Sequence, residues 1–157
     1  MIVLHYTETA DCGTALRVLC DAASPHPVSA HWLIDRDGTA YRLVDESKRA
    51  WHAGASFWDG VSDCNSASVG IELVNSGSEA FPMPQMEALA ELCAGIARRH
   101  AIRHVVGHSD IAPGRKCDPG ALFPWAWLRA KLKADALAQP IAGDAGEDGG
   151  LDAAAGA

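Results

Sequence analysis

The sequence predicts an α/β fold, a single domain in which a central mixed β-sheet is flanked by α-helices. Segments with the pattern of short apolar strands are interleaved with segments whose apolar residues recur at helical spacing, an order typical of this class. The chain has 157 residues, of which 48% are hydrophobic, so it is long enough to bury one substantial core. We therefore expect one globular domain.

The first two elements are a strand and a short helix. Residues 1–7, "MIVLHYT", form a short apolar, β-branched run that indicates a buried strand. The pattern "GTALRVLCDAA" at 13–23 predicts a helix whose inward face carries Leu16, Leu19 and Cys20. The strand is the more informative of the two, because it ends in polar residues.

A hairpin and four further elements follow. The segment "AHWLIDRDGTAYRLV" at 30–44 predicts two strands joined at Asp37-Gly38, since this dipeptide provides the positive φ that a tight turn needs. The remaining elements are two interior strands and two helices, at 68–74, 104–108, 83–101 and 123–138.

Charge is distributed unevenly along the chain. The formal net charge is −7, but four of the acidic residues lie in 140–157, which leaves −3 for residues 1–139. Segment 140–157 is rich in Gly, Ala and Asp and cannot bury enough apolar surface to offset the entropy of ordering it. We predict a folded domain at 1–139 and a flexible tail at 140–157. With no basic stripe on the domain, nucleic-acid binding is not expected.

Cysteine usage and hydropathy bear on the compartment. The five cysteines are odd in number and include no CxxC pair, so reduced thiols are expected rather than a disulfide framework or a zinc ribbon. Apolar runs are far shorter than the roughly 18 to 20 residues of a membrane-spanning helix. The start, "MIVLHYTETA", does not have the features of a secretory signal. We expect a cytoplasmic protein without a membrane span, or an exported or periplasmic one if a leader has been removed.

Two histidines at the ends of predicted strands indicate a metal site. His5 ends the first strand, His108 ends "VVGH", and Cys117 and Asp118 follow about ten residues later. Three protein ligands of the N, N, O or N, N, S kind, with a fourth tetrahedral position left to water, are the pattern of a catalytic zinc. Such a metal lowers the pKa of its water ligand towards about 7 and polarises a carbonyl. Either Asp118 or Cys117 is a credible third ligand.

Glu72 is out of place in its strand. Alternation puts Val69, Ile71 and Leu73 on one face of "SVGIELV" and Glu72 on the other, inside a run that otherwise has the composition of a core. Burying an unpaired carboxylate is costly, so Glu72 needs a partner or a function. A structural ion pair and a catalytic base are equally compatible with its spacing.

Five blocks occur in order along the chain: "VLHYT", "VSAHWLIDRDG", "RAWHAG", "CNSASVGIELVN" and "GHSDIAPGRKCDPG". Together they resemble the zinc-dependent N-acetylmuramoyl-L-alanine amidases of type 2, a family with AmpD-type and AmiD-type branches that is related to peptidoglycan recognition proteins. The likeness extends from about Ile2 to Trp125. It implies the mixed α/β fold of that superfamily. It also implies hydrolysis of the amide between the lactyl group of N-acetylmuramic acid and L-alanine, in peptidoglycan or muropeptides, during cell-wall turnover or recycling.

The resemblance assigns roles by motif position. One zinc ion per chain would be held by His5, His108 and Asp118. Glu72 would be the base that activates or orients the water. Lys116 would donate to the oxyanion of the tetrahedral intermediate, a task that suits a fixed positive charge aimed at developing negative charge.

Residues of other blocks are expected near the substrate. Trp51, His52, Asn65 and Arg115 resemble family residues beside the substrate, and an indole face with hydrogen-bonding groups suits a sugar-peptide. Trp51 is equally compatible with a place in the core. His31 is expected to line the site or to orient a neighbouring group.

Chain conformation in the last block separates the two rival ligands. Pro119 disfavours helical dihedrals at Asp118. If the preceding residues are extended as well, Lys116 and Asp118 share a face and Cys117 points the other way. We therefore expect Asp118 to be the ligand and Cys117 to be a packing residue.

Two alternative functions remain open, and one residue differs from the family pattern. A catalytically silent muropeptide-binding module would typically lose a metal ligand, whereas this chain keeps all three along with Glu72 and Lys116. The second alternative is a zinc amidase that acts on a different amide or forms part of a phage lysin. Neither a repeat nor a separate wall-binding domain supports the lysin version. Asp63 stands where the AmpD-type branch has a basic residue, which bears on recognition of the acidic stem peptide.

Overall fold

The structure is a computed structural model that describes residues 1–138. Within them lie five strands and four α-helices, and the predicted tail at 140–157 lies outside the described residues. The strands are β1 (Ile2–Tyr6), β2 (Trp32–Ile34), β3 (Ala40–Arg42), β4 (Val69–Leu73) and β5 (Val105–Gly107). The helices are α1 (Cys12–Leu19), α2 (Met83–Arg99), α3 (His108–Ile111) and α4 (Trp125–Ala138). None of these helices combines the length and the hydropathy that crossing a membrane requires.

The five strands form one mixed sheet in the order β3-β2-β4-β1-β5. Strands β2, β4, β1 and β5 run parallel, and β3 pairs with β2 in the antiparallel sense. The β2–β3 hairpin turns at Gly38, whose φ of 92° is the positive value that the sequence predicted there. The predicted mixed sheet with flanking helices is confirmed. Because the parallel strands end at one edge, residues that follow β1, β4 and β5 are brought close together.

One face of the sheet is the main apolar core. Side chains at alternate positions of β1 and β4 pack there against α2 and α4, and their burial stabilises the fold by about 1.5–3 kcal/mol for each large aliphatic residue. The largest fully buried side chains among them are Ile2, Leu4, Ile71, Leu73, Met86, Leu89, Ile96 and Leu128. The opposite face carries the intervening residues, among them His5 and Glu72.

Helix α1 borders this second face. Asp11 caps its amino terminus by accepting a backbone hydrogen bond of 2.8 Å. The helix ends at Leu19, so Cys20 is its C-cap and is exposed. The prediction that Cys20 faces inward is therefore wrong: Ala15 is the buried residue, and Leu16 is half-buried.

Candidate metal centre and groove

Three buried side chains meet at the carboxyl edge of the sheet. His5 lies near the end of β1, and His108 directly follows the neighbouring β5 as the first residue of α3. Asp118, ten residues further on, reaches the same place because its loop packs on the end of β5. A Cβ at position 107 would lie 2.6 Å from Pro119, so this approach requires Gly107.

The ligand atoms of these side chains form a small triangle. Nδ1 of His5 and Nδ1 of His108 are 3.0 Å apart, and Oδ2 of Asp118 lies 2.9 and 3.1 Å from them. Around a tetrahedral zinc ion with bonds of about 2.0–2.1 Å, ligand atoms are separated by about 3.3 Å. The triangle is close to this size, so the three side chains can hold a metal ion.

The second ring nitrogens determine which atoms face the centre of the triangle. Nε2 of His108 is 3.0 Å from the carbonyl oxygen of Ala53, which can only accept, so Nε2 donates and Nδ1 keeps its lone pair. Nε2 of His5 is 3.0 Å from Nδ1 of His52. A hydrogen bond from the second nitrogen is the usual arrangement for a metal-binding histidine.

Burial of His5 and the contacts of Asp118 favour the charge states that bind a metal. Burial lowers the pKa of His5, against the opposing effect of Asp118. Burial alone would raise the pKa of Asp118, but the contacts with His108 and His5 outweigh it and hold that pKa below its usual value. Neutral imidazoles and an ionised carboxylate are the forms in which these side chains ligate metals.

Glu72 lies beside the triangle. It is paired with His5 in the register of β1 and β4, so both side chains leave the same face of the sheet. Its Oε2 atom is buried and has no hydrogen-bond partner among residues 1–138. Burial raises the pKa of Glu72 well above its usual value, the charge of Asp118 adds to the shift, and Lys116 opposes it. A carboxylate with a buried, unbonded oxygen matches a general base better than a structural ion pair.

The metal triangle and Glu72 line a cavity of about 160 Å³. Lys116 and Asp118 both line it, whereas the side chain of Cys117 is exposed, with Sγ 3.2 Å from the hydroxyl of Tyr6. The loop thus separates Lys116 and Asp118 from Cys117, as expected from the alternation. The expectation that Cys117 is a packing residue is wrong, because its side chain is exposed at the surface.

One wall of the cavity is apolar. It is formed by Val18 and Leu19 of α1, by Val28 and by the indole of Trp51, which is 54% exposed. The guanidinium of Arg49 stacks 4.3 Å from the centre of this indole. Trp51 therefore lies in the groove rather than in the core. Sequence reasoning missed the wall, although an outward-facing valine on a short amphipathic helix was a signal for it.

Three residues expected near the substrate bind backbone groups. His31 is buried and bonds through both ring nitrogens to backbone atoms of two neighbouring segments, each at 2.9 Å. Asn65 accepts from the backbone N–H groups of His52 and Ala53, and Arg115 donates to the carbonyl oxygen of Ala53. Among the described residues, the lining of the cavity includes His52 but none of these three. Their contact with substrate stays a prediction.

The sequence matches a known family and known proteins. The family described as N-acetylmuramoyl-L-alanine amidase matches residues 1–121. The chain is 39% identical over 146 residues to N-acetylmuramoyl-L-alanine amidase AmiD of Escherichia coli, covering 82% of this chain and 51% of that protein. It is 44% identical over 105 residues to 1,6-anhydro-N-acetylmuramyl-L-alanine amidase AmpD of Citrobacter freundii, covering 66% and 56%. The chain thus spans a little over half the length of these relatives.

A solved structure resembles the fold as well. It is the complex of AmiD from E. coli with the substrate anhydro-N-acetylmuramic acid-L-Ala-D-γ-Glu-L-Lys. The TM-score is 0.77 at 38% identity, over 83% of this chain and 56% of that one. The amidase-like α/β fold expected from the five sequence blocks is therefore confirmed.

Proposed function

The chain belongs to the N-acetylmuramoyl-L-alanine amidase family, and on that premise we propose that it is a zinc-dependent amidase acting on muropeptides. It hydrolyses the amide between the lactyl group of N-acetylmuramic acid and L-alanine, in cell-wall turnover or recycling. One observation carries the proposal: three buried ligands, a carboxylate with a buried, unbonded oxygen and a lysine converge on one cavity.

The proposed cofactor is one zinc ion per chain, held by His5, His108 and Asp118. Two neutral imidazoles and a carboxylate are a common ligand set for catalytic zinc, and the size of the ligand triangle fits. When bound, zinc lowers the pKa of water towards about 7 and polarises a carbonyl group. The ligands are rigidly placed because each belongs to the sheet edge or packs on it.

Glu72 and Lys116 supply the proton transfer and the charge stabilisation. Oε2 of Glu72 takes a proton from the water that attacks the lactyl carbonyl carbon, a role that its raised pKa supports. It passes the proton to the nitrogen of L-alanine as the C–N bond breaks. The lactyl carboxyl group keeps the second proton of the water, and its transfer to the released amine gives a carboxylate and an ammonium group. Nζ of Lys116 donates to the carbonyl oxygen while negative charge develops on it.

The groove accounts for the substrate class. Its apolar wall and the exposed indole of Trp51 offer a surface for the sugar ring and the lactyl methyl, with the reacting groups at one end. The related AmiD structure holds an anhydro-muramyl tripeptide, which supports a soluble muropeptide as the substrate. No partner beyond peptidoglycan fragments is proposed.

The proposal is tested with purified protein and a defined muropeptide. We expect about one zinc per chain and release of a peptide that begins at L-alanine, detected by mass spectrometry. Release that survives exhaustive chelation would contradict the metal mechanism, and cleavage within the peptide or the glycan would contradict the amidase assignment. Intact sacculi assayed beside soluble anhydro-muropeptides separate wall hydrolysis from recycling.

We also propose a cytoplasmic location, which five unpaired cysteines support because thiols stay reduced in that compartment. Fractionation of the native host, with cytoplasmic and exported marker enzymes, tests it. Recovery with the exported markers would overturn this part alone.

A further inference from the structure

The two histidines of the metal centre belong to different elements, β1 and α3, yet their second ring nitrogens bind adjacent residues of one loop. We infer that residues 52–53 position both ligands and fix their tautomers, His52 through its imidazole and Ala53 through its carbonyl oxygen. The inference rests on the metal site proposed above. It makes His52 and Asn65 positioning residues.

A directed chain of hydrogen bonds runs from the backbone to the metal centre through His52. Its far end is the carbonyl oxygen of Cys64, which can only accept, so the hydroxyl of Ser68 donates to it. Oγ of Ser68 therefore accepts from Nε2 of His52, at 3.3 Å. Nδ1 of His52 is then the acceptor for Nε2 of His5, at 3.0 Å. The lone pair of His5 is left on Nδ1, the atom that faces the metal centre.

The imidazole of His52 is held in place by its surroundings. A Cβ at position 70 would lie 2.5 Å from the ring, so His52 packs directly on β4 at a place that only Gly70 leaves open. The rings of His5 and His31 meet it edge to face, with centroids 5.1 and 5.7 Å away. This packing keeps the ring beside His5.

Ala53 does for His108 what His52 does for His5. Its carbonyl oxygen accepts from Nε2 of His108 at 3.0 Å and from the guanidinium of Arg115 at 2.6 Å. The backbone N–H groups of residues 52 and 53 both donate to Oδ1 of Asn65, at 2.9 and 2.8 Å. A single buried amide oxygen thus anchors the stretch of backbone that serves both ligands.

The test removes the contact between His52 and His5 and leaves the contact between Ala53 and His108 in place. His52→Leu keeps a buried side chain of similar size but offers no acceptor, whereas His52→Asn places Oδ1 near the former position of Nδ1. Zinc affinity is measured by competition with a chelator. The ring N–H signals of His5 and His108 are followed by ¹H–¹⁵N NMR of the zinc-loaded protein, with circular dichroism as the check on folding.

We expect His52→Leu to weaken zinc binding about 10- to 100-fold. The protected N–H signal of His5 is lost in this variant, while that of His108, bonded to Ala53, is unchanged. His52→Asn recovers most of the affinity together with the His5 signal. Asn65→Leu differs from both, because it releases the anchored backbone and perturbs the signals of the two ligands at once.

The outcomes separate this inference from the proposed function. A wild-type protein that binds no zinc overturns the metal site itself. Wild-type zinc binding combined with a folded His52→Leu variant of equal affinity, within about twofold, overturns the positioning role only. Should His52→Leu not fold, His52→Asn decides: retained affinity and a retained His5 signal support the role, and a folded protein without zinc affinity contradicts it.

Discussion

Two clusters of imidazole and carboxylate groups lie on this fold, and they differ in whether their hydrogen bonds are complete. The carboxylate of Glu46 receives hydrogen bonds from the indole of Trp32 at 2.9 Å and from Arg99 at 2.6 and 3.2 Å, and it contacts His100 at 2.7 Å. Each oxygen has a donor, and the pKa of Glu46 is held at about 2, chiefly by Arg99. This cluster needs nothing from outside the protein.

The metal centre is incomplete by the same measure. With both histidines donating through Nε2, Nδ1 of His5, Nδ1 of His108 and Oδ2 of Asp118 present lone pairs to one point. Oε2 of Glu72, beside them, has no partner among residues 1–138. Leaving buried acceptors without donors costs about 1–3 kcal/mol each. Stability of the fold gives no reason for this arrangement, whereas binding of a cation does.

The strongest test of this contrast is removal of a predicted ligand. Asp118→Ala takes away the only charged ligand, so we expect loss of zinc and a fall in muropeptide hydrolysis of about 10³-fold or more. Cys117→Ala is the matched control, because its side chain is exposed and points away from the triangle. Metal analysis and product release are measured on both. Loss of zinc in the Cys117 variant with retention in the Asp118 variant would reverse the ligand assignment.

Replacing the unpaired carboxylate separates binding from catalysis. Glu72→Gln keeps the shape of the side chain but cannot take a proton, so kcat should fall by about 10²- to 10⁴-fold. Zinc content should stay at the wild-type level because Glu72 is outside the ligand triangle. The measurement pairs steady-state kinetics with metal analysis. Activity close to that of the wild type would indicate that Glu72 has a structural role.

Residues whose role depends on periodicity or on block order could be anticipated, and residues whose role depends on loop geometry could not. Alternation along β4 placed Glu72 on the face opposite Val69, Ile71 and Leu73, and the order of the sequence blocks assigned His5 to the metal centre. The contacts of Asn65 and Arg115 depend on the path of the loop at 52–55, which no pattern in the sequence specifies. Their contact with substrate, expected from the family blocks, stays a prediction. Cys20 was misplaced because α1 ends one residue earlier than its apolar pattern.

Mutation of the Glu46 cluster should change the stability of the protein and leave catalysis unchanged. Glu46→Gln should lower the free energy of unfolding by about 1–3 kcal/mol at pH 7, since the replaced group is charged, almost buried and multiply bonded. The pKa of Glu46 in the folded protein, about 2, is below the usual 4.5. Its contribution is therefore fully present above about pH 4.5 and is lost as the pH falls towards 2.

Urea unfolding of both proteins between pH 7 and pH 2 measures the Glu46 contribution, and the difference should shrink over that interval. Glu87→Gln removes the same charge from an exposed position of α2 and should leave the unfolding midpoint unchanged. Muropeptide hydrolysis at neutral pH should be the same in all three proteins. A difference that grows on acidification would contradict the assigned direction of the pKa shift.

The smallest effect is expected at the ion pair on the rim of the groove. Arg49 is hydrogen-bonded to Asp63 and stacks on the indole of Trp51, and both charged side chains are at least a third exposed. Asp63→Asn should leave stability unchanged, because solvent-exposed pairs contribute little. It removes a negative charge beside the groove and frees Arg49 for the carboxylates of the stem peptide. KM for a muramyl tripeptide should therefore fall about twofold to threefold at low salt with kcat unchanged, and the effect should fade as ionic strength rises.

Glu91→Gln, an exposed charge change on α2 across the sheet, should leave KM unaltered. The sign of the change in KM distinguishes two roles for Asp63: a fall means that it restrains a substrate-binding arginine, and a rise means that it holds Arg49 on Trp51 to keep the indole in place.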